Sequence, residues 1–181
     1  MLSLLGEYKK RMAAIRDSAP PGIDLTDYIG VPSLRSRRAS TAALAAIEAR
    51  LPVPLPVSFR MYLLGPLVET GIEWAQVQLP GNDRNDLAQS FLFLTHLWPV
   101  QLLQFATQEG DPVCFDFRQP IQTDPLEYQV VIIAHDWLTP ADSTDPTRIR
   151  RFISATFTDL GALLDALCLD KPIEHRRVGS A

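Results

Sequence analysis

The stretch Leu102-Leu103-Gln104-Phe105-Ala106-Thr107-Gln108-Glu109-Gly110-Asp111-Pro112-Val113-Cys114-Phe115-Asp116-Phe117 decides the fold. Two short apolar runs, 102–106 and 113–117, flank a turn-rich cluster, Gln108-Glu109-Gly110-Asp111, which is how a β-hairpin reads, here with a loop of about five residues. Downstream, Tyr128-Gln129-Val130-Val131-Ile132-Ile133-Ala134 is nearly continuous in large apolar side chains. Such a run predicts a further strand, largely buried. The centre of a sheet is therefore expected between residues 102 and 134.

Outward from that centre the period changes. Ile72 to Leu79 is short and partly alternating and reads as one strand that carries Trp74 into the core. Asp86 to Leu97 fits either a helix capped by Asp86 or a buried strand through Phe91-Leu92-Phe93-Leu94, and periodicity does not choose. Ser40 or Thr41 caps a helix with Leu44, Ile47 and Leu51 on one face, closed by Pro52. Leu55-Pro56 opens another, with Pro56 in the first turn, Phe59, Tyr62 and Leu63 as its buried stripe, and Gly65-Pro66 as its stop. A last helix is expected from a Thr156 cap, with Phe157, Leu160, Leu163, Leu164 and Leu167 as its apolar face and Pro172 as its limit. Ahead of all these, Leu2, Leu5, Tyr8, Met12 and Ile15 predict an extra N-terminal amphipathic helix, ended by Ser18-Ala19-Pro20-Pro21-Gly22.

These elements make an α+β chain with a helical and Pro-rich lead over 1–39, a domain over 40–170 and a tail, 171–181, expected to be mobile. A hydrophobic fraction of 46% and a charged fraction of 21% are ordinary for a chain that buries a core. No apolar run reaches the ~20 residues of a membrane span, and Glu7 and Lys9 interrupt the start too early for a secretory leader, so a cytoplasmic protein with no membrane partner is expected. Cys114 and Cys168 form no CxxC pair, which argues against a disulfide framework or a zinc site.

The net charge of −4 hides a block pattern. Residues 69–145 hold twelve acids against Arg84 and Arg118 alone, a local balance of −10. Such a block repels a nucleic-acid backbone and attracts a basic partner. The clusters Arg35-Ser36-Arg37-Arg38 and Arg148-Ile149-Arg150-Arg151 lack interleaved aromatics and read as solvated faces, so no direct nucleic-acid binding is expected.

The order of elements resembles the SUKH superfamily, which includes yeast cell-wall synthesis regulators and many bacterial immunity proteins. The pieces that carry the resemblance are the helix ending Ala46-Ile47-Glu48-Ala49-Arg50-Leu51, the Leu55 to Leu64 segment, the Phe105 to Phe117 hairpin with Gly110-Asp111, and Phe157-Thr158-Asp159-Leu160. It spans roughly residues 40–168. Gly65-Pro66-Leu67 replaces the usual Asn-Gly-like turn, and the insert around residues 80–100 does not match the family in detail. The resemblance implies a mixed, mainly antiparallel sheet partly wrapped by helices, with no shared catalytic centre and no cofactor. It also implies a bacterial immunity protein that binds and neutralises a toxin encoded beside it. Many such toxins are nucleases, whose cationic surface an acidic face can occupy. Glu109, Asp111, Asp124, Glu127, Asp136, Asp142 and Asp145, with Trp137 beside them, are the contact residues expected on this reading. The rival within the family is a regulatory or scaffolding module.

An enzyme is the third alternative. Cys114, His135 and Asp136 are the residues from which a thiol nucleophile, base and orienting acid would be drawn. Cys114 sits between Val113 and Phe115 in an expected strand, where an inert buried thiol is the commoner outcome. His135, Asp136, Asp142 and Asp145 match no metal-ligand template. Leu51 to Pro56 reads as a helix boundary rather than a polyproline ligand.

Overall fold

The hairpin closes more tightly than its composition suggests. In a computed structural model of the chain, Gln108 pairs directly with Asp111, leaving only Glu109 and Gly110 between the strands. Both have positive φ, 49° and 96°. That is the mark of a type I′ turn, whose twist matches that of the strands it joins. The structure describes residues 41–64, 72–74, 77–79, 95–137, 139, 141–168, 173–176 and 178. The expected N-terminal helix, its Pro-rich connection and the ambiguous stretch through residue 94 lie outside the described residues.

In chain order the elements are α1 (Thr41–Glu48), α2 (Val57–Leu64), β1 (Ile72–Trp74), β2 (Val77–Leu79), a 3-10 turn at Thr95–Val100, β3 (Leu102–Gln108) and β4 (Asp111–Asp116). They continue with β5 (Gln122–Thr123), β6 (Leu126–Glu127), β7 (Gln129–Ile133) and 3-10 turns at His135–Trp137 and Asp142–Thr144. Last come the one-turn α3 (Pro146–Ile149), a 3-10 turn at Arg150–Phe152, β8 (Ile153–Phe157) and α4 (Leu160–Cys168). Six strands form one sheet in the order β1-β2-β3-β4-β7-β8, and β5 and β6 make a separate ribbon. The chain is α+β, and every pairing among the described residues is antiparallel.

Helix α1 buries Leu44 and leans Ile47 on the core; it ends at Glu48, short of the expected Leu51, which packs on the core from the link that follows. In α2 the expected stripe is the buried one: Phe59, Tyr62 and Leu63. Pro56 stands just ahead of α2, where its carbonyl accepts from the Arg60 amide and its missing N–H leaves no gap. Phe59 is the wedge between helix and sheet, with its ring 5.2 Å from both Phe105 and Phe115. Those two rings stack on each other at 4.0 Å. Aromatic pairs of this kind add about 0.5–1.5 kcal/mol beyond the area they bury.

The sheet is covered on both sides. Leu103, Phe105, Phe115, Val130 and Ile132 face α1, α2 and α4 within the larger core. Leu102, Cys114, Val131 and Ile133 join Leu97, Val100 and Ile149 in a second cluster. The alternation of neighbours between the two clusters explains why the run 130–133 carries no polar residue. A register shift between Gln104 and Ala106 makes Phe105 the extra residue of a bulge, and it brings Phe105 and Ala106 into the same cluster.

Several elements differ from expectation. The single strand over 72–79 is two short strands, with Trp74 paired to Val77, so the chain reverses between them. Trp74's side chain lies outside the described residues. Thr156 lies inside β8, a strand not foreseen, and Asp159 caps α4 by accepting from the Ala162 amide at 2.8 Å. Threonine suits both a cap and a pleated strand, so its identity does not choose between them. Where it is described, the tail touches the body of the domain. Ile173 packs on the core, and the Arg176 amide donates to the Ser154 carbonyl at 2.8 Å. No helix among the described residues is long and apolar enough to cross a membrane.

Gly110 is the position that only glycine fits. A Cβ there would sit at φ 96° and 2.9 Å from His135 Cε1. Gly110→Ala is expected to lower the unfolding free energy by more than about 1 kcal/mol, read by urea denaturation. An unchanged midpoint would contradict this account of the turn.

Candidate functional site

The polar residues converge at the sheet end marked by the Glu109-Gly110 turn. There β7 runs out into Ala134 and His135, and β8 begins beside it, with Ile153 opposite Ile133. Asp111 opens β4 and reaches across this end. Its Oδ1 accepts from the His135 amide at 2.8 Å and lies 2.6 Å from His135 Nδ1. Asp136 Oδ1 lies 3.0 Å from Nε2 of the same ring. Only the doubly protonated imidazole donates to both carboxylates at once. The hydrogen bond to Asp111, assisted by the charges of Asp136 and Asp111, accordingly raises the His135 pKa above its ordinary value.

Beside this cluster lies a cleft of about 300 Å³. Gln108, Glu109 and Asp111 line it from the hairpin, and Ser154, His175 and Arg176 line it from β8 and the tail. His175 Nδ1 is 3.1 Å from Ser154 Oγ, which in turn donates to the Ile132 carbonyl at 3.3 Å. The Arg176 guanidinium donates to the Ile153 carbonyl and, at 2.7 Å, to the Arg150 carbonyl. Gln108 is 7% exposed, and its Oε1 has no donor among the described residues. A buried acceptor left so costs on the order of 1–3 kcal/mol.

The seven acids expected to form one contact surface fall into separate groups. Glu109, Asp111 and Asp136 share the turn end of the sheet. Asp124 stands at the tip of the β5–β6 ribbon, past the far end of β4, a strand that spans about 20 Å. Glu127 is half-buried and structural. Its carboxylate accepts from the Ser58 amide at 2.8 Å and the Ser58 hydroxyl at 2.6 Å, satisfying the start of α2 across 69 residues of sequence.

Asp142 accepts from the amide and hydroxyl of Thr139, and chiefly for that reason its pKa is lowered. Asp145 caps α3 through the Thr147 and Arg148 amides. Arg148 pairs with both acids. Trp137's side chain lies outside the described residues. The block also contains Asp116, which is buried and grips Arg118 through Nε at 2.6 Å and through Nη2. Sequence charge counts both members, but neither contributes much field outside.

Cys114 is fully buried, and that burial, with the nearby Asp116 charge second, pushes its thiol far above the ordinary range. A thiol held protonated is a poor nucleophile. His135 spends both ring nitrogens on Asp111 and Asp136. Among the described residues no group of three His, Cys, Asp or Glu side chains could hold a metal ion.

Sequence reading missed Gln108, Ser154, His175 and Arg176. A polar residue at the end of a strand and a basic tail carry no periodic signal, and only the antiparallel pairing of β7 with β8 brings them to the hairpin. No protein-family model, curated protein or solved structure matches the chain.

Glu127→Ala is expected to cost about 2 kcal/mol in denaturant unfolding, the loss of two charge-assisted hydrogen bonds at a helix start. A neutral result would remove Glu127 from the scaffold.

His135 supplies a pH test. With its folded pKa raised above 6.5, the protonated ring contributes stability that is fully present below about 6.5 and is lost as pH rises through the folded value. An NMR titration should place His135 above 6.5, and Asp111→Asn should bring it down and flatten the matching fall in stability. A His135 that titrates identically in both proteins would show that Asp111 does not hold its proton.

Proposed function

We propose that this chain works by binding another protein with a basic surface, as an immunity protein of the SUKH kind that neutralises a toxin encoded beside it. The observation that carries this reading is the division of labour among the acids. Glu127, Asp142, Asp145 and Asp116 are committed to caps and internal pairs. Glu109 and Asp136 stand exposed on either side of the Asp111–His135 pair, Asp136 keeping most of its surface open although its Oδ1 meets His135 Nε2.

Exposed carboxylates on a braced sheet end can steer a cationic partner without reorganising. The tight turn and the Asp111 bond to the His135 backbone amide provide that bracing. The buried, protonated Cys114 supports a binding role over thiol chemistry. The toxin class that suits such a surface is a nuclease domain, because a nuclease must present cationic groups to its own substrate.

Co-expression with the product of the adjacent gene, followed by co-purification, tests the partnership. Where a complex forms, Glu109→Lys with Asp136→Lys is expected to slow association by roughly tenfold at low ionic strength, and the difference should shrink as salt rises. Association rates that ignore both the substitutions and the salt would remove the electrostatic basis of the reading.

A further inference from the structure

The two carboxylates that hold the His135 ring hold it unequally. Asp111 is 25% exposed in its side chain and is anchored twice, its Oδ1 taking the His135 amide at 2.8 Å and standing 2.6 Å from Nδ1. Asp136 is 78% exposed, and among the described residues only the ring holds it, with Nε2 at 3.0 Å. Between the two nitrogens, Cε1 stands so close to Gly110 that a Cβ there would meet it at 2.9 Å. The ring is thus pinned over the hairpin turn on its Asp111 side and open to water on its Asp136 side. The other charged groups at this end are Glu109 of the turn and, across the adjoining cleft, His175 and Arg176 of the tail.

A neutral imidazole has a single N–H. The shorter bond, to the more covered carboxylate, keeps that hydrogen on Nδ1, so the proton that leaves is the one on Nε2. A lone pair then faces the Asp136 carboxylate, attraction turns to repulsion, and an exposed side chain with no other tie swings into water. Loss of one proton therefore adds one negative charge to the sheet end and uncovers a carboxylate there.

We propose that Asp111, His135 and Asp136 form a pH-dependent gate on the docking surface, in which a cation of the basic partner takes the place of the His135 Nε2 proton at Asp136, so that binding strengthens as pH rises. The gate rests on the protein-binding reading and says how that surface is regulated. The displaced proton passes to water, and no other bond is broken. By linkage, the partner weakens the ring's hold on its proton by the same factor by which the proton weakens the partner. The raised His135 pKa sets the change above 6.5, with the surface muted below it and fully acidic above.

The test uses a fluorescent hexa-arginine peptide as the cationic probe, titrated into the full chain at low ionic strength at about pH 5.5 and about pH 8.5 and read by anisotropy. Affinity should be roughly three- to tenfold higher at the upper pH, the effect of one added charge near a surface ion pair. His135→Gln cannot titrate and should bind almost equally at both. The remaining histidines are common to both proteins, so the difference between them isolates His135. Asp136→Asn, at an exposed site, is a second variant with an intact fold and should also shrink the response. Ring-nitrogen NMR of the free chain should show Nδ1–H as the neutral form, and the peptide should lower the His135 midpoint by about half a pH unit, the counterpart of a threefold change in affinity. A merely structural histidine would cost the variant stability and leave the pH dependence of binding as it was.

No binding of the peptide at either pH, the same gain with pH in the parent and in His135→Gln, or a neutral ring protonated on Nε2 overturns the proposal. A neighbouring-gene product whose association ignores both pH and His135→Gln would also overturn the gate, while leaving the protein-binding reading standing. Failure of that product to bind at any pH, with the peptide behaving as expected, would instead sink the reading.

Discussion

Burial of β3, β4 and β7 on both faces is the constraint from which the rest of the molecule follows. Backbone amides and carbonyls in such strands have no water to turn to, so they must pair along the sheet. β4 does so with β3 on one side and β7 on the other. Covering both faces then demands two sets of apolar partners. Helices α1, α2 and α4 supply one through Leu44, Phe59 and Leu163, and the segments around Leu97 and Ile149 supply the other. Phe59, set between Phe105 and Phe115, ties the first layer to the sheet centre.

That arrangement also governs the electrostatics. An acid inside or beside a packed layer is tolerated only with partners, and Asp116 with Arg118, or Glu127 with Ser58, meet the condition. Acids at the turn end face water and retain their reach. Most of the block's described acids therefore fall into two populations. One fastens helix starts and loops, and the other, centred on Glu109 and Asp136, gives the sheet end its field. His135 lies between them, held by carboxylates at both ring nitrogens, and moderates that field as it titrates.

The hairpin brings Gln108 and Glu109 to the place where the tail crosses β8, and there His175 meets Ser154 while Arg176 donates to the carbonyls of Ile153 and Arg150.

Local patterns in the sequence were enough to determine the stripe of α2, the 102–117 hairpin, the buried strand near 130 and the α+β class, because periodicity and turn chemistry act within a few residues. They did not separate one strand from two over 72–79, or a Thr156 cap from a Thr156 in β8. Both choices depend on what pairs with the segment, and the partners are distant along the chain. The fate of each carboxylate was likewise undecided by charge counting. Glu127 is a cap only because α2, 69 residues earlier, ends up against it. Gln108, Ser154, His175 and Arg176 become neighbours only when β3, β8 and the tail meet. Tertiary structure alone made those decisions, since desolvation and hydrogen-bond partners are properties of the folded neighbourhood and not of the residue.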